Sequence, residues 1–206
     1  MTKGRWGTAL ELLLAGSALA LTGFMVIHEI MQASVWYGAL AMDRLADELD
    51  ATGLVGAGVV AVAVLLAVHA LAAIRRLPLR VGEVRAFART AGSLAHWDTV
   101  TWVLQVGSAA VIGVLGAIHL LVAGEDLPVE AVKSALRVRD LASTGFYDLL
   151  LTAVSVHTAF GLERIATKWG CPGRTVARAL AWTCFAFLLV VGFWTLIMFH
   201  RIARGG

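Results

Sequence analysis

The sequence predicts an all-α integral membrane protein built as a bundle of five transmembrane helices, and three observations carry that expectation. Hydrophobic residues make up 59% of the 206 positions and charged residues only 15%. The mean hydropathy is +0.81, outside the range of soluble domains. The apolar residues are bunched into long runs separated by charged segments, the arrangement that bilayer thickness imposes on spans of about 20 residues. Composition therefore excludes a water-soluble enzyme domain. Cys171 and Cys184, with no CxxC spacing, exclude a disulfide scaffold and a cysteine-built metal site.

The first run extends over about residues 8–40, interrupted by Glu11, His28 and Glu29. It has no cleavage signal after a short apolar core, so it reads as an uncleaved first helix. The second run covers about 51–77, the third 98–123, the fourth 141–168 and the fifth 175–202, and the whole chain, 1–206, reads as one transmembrane domain. An odd number of spans puts the termini on opposite sides. With the N-terminus inside and the C-terminus outside, the inner segments hold Lys3, Arg5, Arg75, Arg76, Arg80, Arg85, Arg89, Arg164, Lys168, Arg174 and Arg178. These are 11 of the 17 basic residues, and the positive-inside bias selects this orientation. Acidic residues gather in the outer segments, as Asp43, Asp47, Glu48 and Asp50 and then Glu125, Asp126 and Glu130.

Four of the six histidines, His28, His69, His119 and His157, lie inside four different apolar runs. An imidazole in hydrocarbon needs a partner, so each is a functional candidate. Each taken alone could be a packing histidine bonded to a hydroxyl or a carbonyl. Depth distinguishes the set of four. His69 precedes Arg75 by six residues and His157 precedes Arg164 by seven, which places both about 10 Å from the inner charges. His119 precedes Glu125 by six on an outward-running helix, and His28 follows Arg5 by 23, or ~34 Å of helix, so these two lie toward the outer side.

Two imidazoles facing each other at one depth suit the axial positions of a haem iron, whereas zinc wants three or four ligands at one level. Two such pairs predict a dihaem bundle that carries electrons across the bilayer. Haem propionates are anions and need donors at the ends of the pocket. For the inner haem these are Trp102, Lys168 and Ser17; for the outer haem Arg137, Arg139 and Tyr37 stand as alternatives. Trp102 can equally be an interfacial belt residue and Lys168 a positive-inside charge. Gly23, Gly116 and Gly161 lie three to five positions from a ligand histidine, where a missing side chain would let a flat macrocycle approach.

These residues resemble the dihaem cytochrome b membrane anchor subunit of the succinate:quinone oxidoreductases and menaquinol:fumarate reductases. The likeness runs through residues 23–28, through 67–70 to Arg75-Arg76-Leu77-Pro78, through His96-Trp97-Asp98-Thr99 to Trp102, Gln105 and His119, and through His157, Gly161, Ile165 and Lys168-Trp169-Gly170. The resemblance implies that His28 and His119 hold a distal haem b and His69 and His157 a proximal one, with Trp102 and Lys168 on the proximal propionates. It implies menaquinol or menaquinone as substrate and a multi-pass subunit of the bacterial cell inner membrane. The implied partners are a flavoprotein with FAD and an iron–sulfur protein with its clusters, assembled as a dimer of heterotrimers, with no nucleic acid. The arginine-rich segment around Arg75, Arg76, Arg80, Arg85 and Arg89, with His96, would then receive the iron–sulfur subunit.

Quinol oxidation releases two protons and wants a carboxylate beside an apolar slot. Among the acids at the first outer segment Glu48 is the expected base, and Glu29, directly after His28, is the alternative. One departure from the resembling reductases stands out: Ser155 occupies the place of a buried glutamate proposed there to carry a compensating proton. Such a pathway is then absent or uses another acid, such as Glu163 or Glu11. The rival reading is a transporter or assembly protein whose four histidines serve protonation or structure without haem.

Overall fold

The computed structural model describes residues 2–75, 82, 89, 97–170 and 173–205, with side chains from residue 7 onward. Arg76, Arg80, Arg85 and His96 lie outside the described residues. Among the described residues seven α-helices follow one another: α1 Thr2–Gln32, α2 Ala39–Ala51, α3 Leu54–Ile74, α4 Trp97–Glu125, α5 Ala131–Arg137, α6 Leu141–Lys168 and α7 Gly173–Ala203. There is no strand among the described residues. Among the described residues five segments are long and apolar enough to cross a membrane: Gly7–Tyr37, Leu54–Ile74, Trp97–Glu125, Leu141–Lys168 and Gly173–Ala203. Their outward faces carry large apolar side chains left uncovered by the chain itself, among them Val60, Leu71, Leu121 and Val190, each more than 60% exposed. Such faces are stable only against lipid or another protein. The protein is a multi-pass all-α membrane protein.

The first apolar run departs from the single helix expected over 8–40. α1 ends at Gln32, a 3-10 turn covers Ala33–Tyr37, and Gly38 at φ +105° redirects the chain into α2. A side chain is strained at that φ, so glycine permits the corner. The acids expected in an outer loop instead lie on α2, and α5 replaces much of the next loop. Both are short helices whose apolar sides close over the bundle end. Val35, Met42, Ala131, Ala135, Val138 and Phe199 form a buried cluster there. Asp43 Oδ1 accepts the Ala131 amide at 2.7 Å, satisfying a free N–H of the first turn of α5 from another helix.

α6 packs chiefly on α7 and α4, and α3 on α1. The α6–α7 seam is made of small residues and interlocked leucines. Ser155 and Leu188 are fully buried, and Ala177 and Ala181 nearly so. Without apolar solvation to drive helices together in lipid, close approach through small residues supplies the attraction. A Cβ on Gly192 would lie 2.5 Å from Leu151 Cδ1, so a larger residue there would have to displace the Leu151 side chain.

At the opposite end from α2 and α5, ion pairs tie the helix termini. Lys168 pairs with Glu11, Arg178 Nε lies 3.1 Å from Glu163 Oε1, and Arg174 NH2 lies 3.7 Å from Asp98 Oδ2. Arg164 donates to the Asp98 carbonyl at 3.1 Å. These contacts bring together the starts of α1, α4 and α7 and the end of α6.

Two outcomes follow from this packing. Gly192→Ala forces Leu151 out of its rotamer and lowers stability by about 1–3 kcal/mol, and adding Leu151→Ala recovers most of that loss, measured by thermal unfolding in detergent. At the start of α6, Asp140 accepts from the Ser143 hydroxyl at 2.7 Å and the Ser143 amide at 2.9 Å. The hydroxyl first, then the amide, hold its carboxyl below the ordinary range. A lowered folded value means the cap is fully present above the unfolded value and is lost as pH falls through the folded one. Amide exchange in the first turn of α6, corrected for intrinsic rates, therefore rises on acidification, and Asp140→Asn abolishes that dependence.

Candidate functional site: two facing histidine pairs

The four intramembrane histidines meet in two pairs. His28 on α1 faces His119 on α4 with ring centroids 6.4 Å apart and planes at 71°. His69 on α3 faces His157 on α6 at 6.2 Å and 86°. Neither helix pair, α1 with α4 or α3 with α6, packs more than glancingly among the described residues. The rings are thus held opposite each other across gaps that the backbones do not close.

The second ring nitrogens set the chemistry of the pair formed by α3 and α6. His157 Nδ1 lies 3.0 Å from the Gln105 carbonyl oxygen. A carbonyl only accepts, so Nδ1 carries the proton and Nε2 presents a bare lone pair. His69 Nδ1 lies 3.1 Å from Ser17 Oγ, which is also 3.1 Å from the Leu14 carbonyl. Gly161 keeps this region close: a Cβ there would lie 3.2 Å from Gln105 Nε2. Its small size therefore serves the α4–α6 approach, whereas Gly23 has open space beside it.

At the other pair, His28 stacks on Phe24 with centroids 5.6 Å apart, and His119 meets the edge of Tyr147 at 5.6 Å. His119 Nδ1 is buried without a hydrogen-bond partner among the described residues. A recess of about 340 Å³ opens beside it, lined by Ile118, His119, Val122, Arg137, Phe146 and Tyr147. Arg137 NH2 is 2.9 Å from Asp126 Oδ2 and its Nε 3.0 Å away. Of the three alternatives for that end, Arg137 lines the recess, Tyr37 is 86% exposed, and Arg139 is exposed.

The remaining expected residues are distributed as follows. Ser17 is buried against His69 rather than at a helix end. Trp102 is half-buried in the second turn of α4. Lys168 closes α6 in its pair with Glu11. Glu29 is buried, 8% exposed, on α1 next to His28. Glu48 is exposed on α2. The Gln105 carbonyl and Tyr147 went unnoticed in the sequence. Tyr147 precedes His157 by ten residues, about 15 Å along α6, so the same depth arithmetic could have found it. A backbone acceptor leaves no side-chain signal.

The pairs can be tested against a haem. Two imidazoles sharing one iron through bonds of about 2 Å, with roughly 1 Å more from nitrogen to ring centre, have centroids about 6 Å apart. Both observed separations match that figure. Among the described residues no group of three or more His, Cys, Asp or Glu could hold an isolated metal ion. The donor sets fit two bis-imidazole irons.

Comparison with known proteins gives the same direction. The chain is 28% identical over 198 residues to the fumarate reductase cytochrome b subunit of Helicobacter pylori strain J99, covering 90% of this chain and 78% of that protein. The subunit of a second strain, 26695, matches to the same extent. The fumarate reductase cytochrome b subunit of Wolinella succinogenes is 30% identical over 135 residues, 62% of this chain and 53% of that protein. No protein-family model matches the chain.

Proposed function

We propose that this chain, a relative of the fumarate reductase cytochrome b subunits and a membrane anchor of that kind, carries electrons through two b haems between menaquinol and partner subunits that interconvert fumarate and succinate. The observation that carries this reading is the pair of centroid separations, 6.4 Å for His28 with His119 and 6.2 Å for His69 with His157. When bound, each haem supplies a one-electron redox centre, and two at different depths connect the faces of the membrane. The protein's share is orientation and exclusion of water. Apolar helices hold the ligand rings, and the Gln105 carbonyl fixes the tautomer of His157.

Arg137 beside His119, and Trp102 and Lys168 near the ends of α4 and α6, supply the donors for propionates in this reading. Glu11 pairs with Lys168, so a propionate there would share that cation with it. The orientation is N-terminus inside, in a bacterial inner membrane. The arginine-rich segment after α3 then meets an iron–sulfur subunit on the cytoplasmic side, with FAD in a flavoprotein beyond it, and two such heterotrimers pair.

Glu48 on α2 is the proposed base for menaquinol, and Glu29 is the alternative within α1. Asp43 is withdrawn from this set by its bond to the Ala131 amide. Water reaches Glu48, which lets it hand protons to the bulk phase.

Spectroscopy of the purified complex checks the reading. Two low-spin b haems per chain are expected, one lost on His69→Ala or His157→Ala and the other on His28→Ala or His119→Ala. A chain purified without haem, or one whose haem content ignores all four substitutions, favours the transporter or assembly reading. Glu48→Gln lowers menaquinol-driven fumarate reduction roughly 100-fold while leaving haem content and viologen-driven fumarate reduction unchanged. Loss in Glu29→Gln with full activity in Glu48→Gln moves the base to Glu29.

A further inference from the structure

The two ligands of the proposed proximal haem are held by different acceptors. His157 gives its Nδ1 proton to the Gln105 backbone carbonyl, a contact that no side-chain change at Gln105 removes directly. His69 meets a hydroxyl instead, Ser17 Oγ at 3.1 Å. Ser17 is 5% exposed and lies on α1, so the contact joins a helix that carries a distal ligand to the ring of a proximal one.

The direction of this bond follows from counting protons. A serine hydroxyl has one hydrogen and two lone pairs. The Leu14 carbonyl, which only accepts, lies 3.1 Å from the same oxygen and takes that hydrogen. The lone pairs are left for His69, whose Nδ1 is then the donor. The chain Nδ1–H to Oγ–H to Leu14 O leaves Nε2 of His69 unprotonated, on a ring whose centroid lies 6.2 Å from that of His157.

We propose that Ser17 is a positioning residue that tunes the proximal haem through His69, and that it does so without contacting the haem itself. This rests on the dihaem reading above. An acceptor on Nδ1–H makes the imidazole a stronger electron donor, which favours the oxidised iron and lowers the reduction potential. No comparable hydroxyl contact is present at His28 or His119 among the described residues, and His119 Nδ1 is unpartnered. The device therefore acts on one haem of the two.

The test is redox titration of the purified complex with each haem resolved, together with low-temperature electron paramagnetic resonance of the oxidised form. Ser17→Ala removes the hydroxyl acceptor and leaves His69 only the Leu14 carbonyl. The ratio of oxidised to reduced proximal haem at fixed potential falls roughly fivefold, equivalent to an upward shift of about 40 mV, the worth of one ordinary hydrogen bond. The proximal low-spin signal moves with it. The distal haem keeps its potential and signal, and Ser17→Thr, which retains the hydroxyl, restores the native proximal values. If Ser17→Ala loses the proximal haem, Ser17→Thr decides the matter: a proximal haem at native potential supports the proposal, and a displaced potential overturns it. Two haems at unchanged potentials in Ser17→Ala overturn the proposal and leave the dihaem reading standing. Wild-type protein without haem overturns that reading as well.

Discussion

Everything in this molecule is arranged around the cost of an imidazole in hydrocarbon. A buried ring nitrogen without a partner costs as much as any lost buried hydrogen bond, and four such rings on four helices multiply the demand. The protein satisfies one nitrogen of His69 and one of His157 internally, through Ser17 and the Gln105 carbonyl. On the proposed reading the other ring nitrogens are left for the haem irons. That division also explains why helices bearing paired histidines do not pack tightly on each other. Stability must then come from other seams. α6 on α7 supplies it with Ser155, Leu188 and Gly192, residues that keep the backbones close and leave no room for larger side chains.

The two ends of the bundle solve different problems. Where α1, α4 and α7 begin, carboxylates and cations alternate: Glu11 with Lys168, Glu163 with Arg178, Asp98 with Arg174. Exposed pairs of this kind contribute little stability singly. Their effect here is to link helix ends, α1 to α6, α6 to α7 and α4 to α7. The other end is closed by apolar contact instead, with Met42, Ala131, Ala135 and Val138 under α2 and α5. Trp36 adds an indole bond to Thr195 at 3.0 Å, and Thr144 meets His200 Nε2 at 3.2 Å. A rigid apolar cap beside His119 and Arg137 defines a recess, whereas the charged end presents a polar surface.

The five spans and the partners of the histidines were legible because both depend on one-dimensional quantities, the length of an apolar run and the rise from a histidine to the nearest charge. α2 and α5 were not. Each is short, and each carries enough charge to resemble a loop; only their apolar sides, buried under tertiary contact, make them helices. The corner at Gly38 left a signal in the glycine itself, but the apolar run continues through it to Leu40 and masks the break. Ser17 was singled out for a propionate because it lies on the first helix near the inner level. Its actual neighbour, His69, is 52 residues away, and such a pairing depends on the rotation of α1 against α3, which the sequence does not encode locally.

The same packing bears on how electron transfer is balanced by charge. Ser155 stands where the resembling reductases carry a buried glutamate, and here its surroundings exclude one. Its side chain has no exposed area, and its hydroxyl donates to the Leu151 carbonyl at 2.8 Å inside the α6–α7 seam. A carboxylate placed there would need several additional atoms of space at a fully buried position, and a partner for its charge. The other acids that might take over the role, Glu163 and Glu11, are each held by a cation. Among these three positions no acid is left unpaired, so on the proposed reading this seam offers no relay for a proton accompanying an electron. On the proposed reading, the separation of charge across the membrane depends on where quinol releases its protons, which puts the weight of turnover energetics on the end of the bundle beside α2.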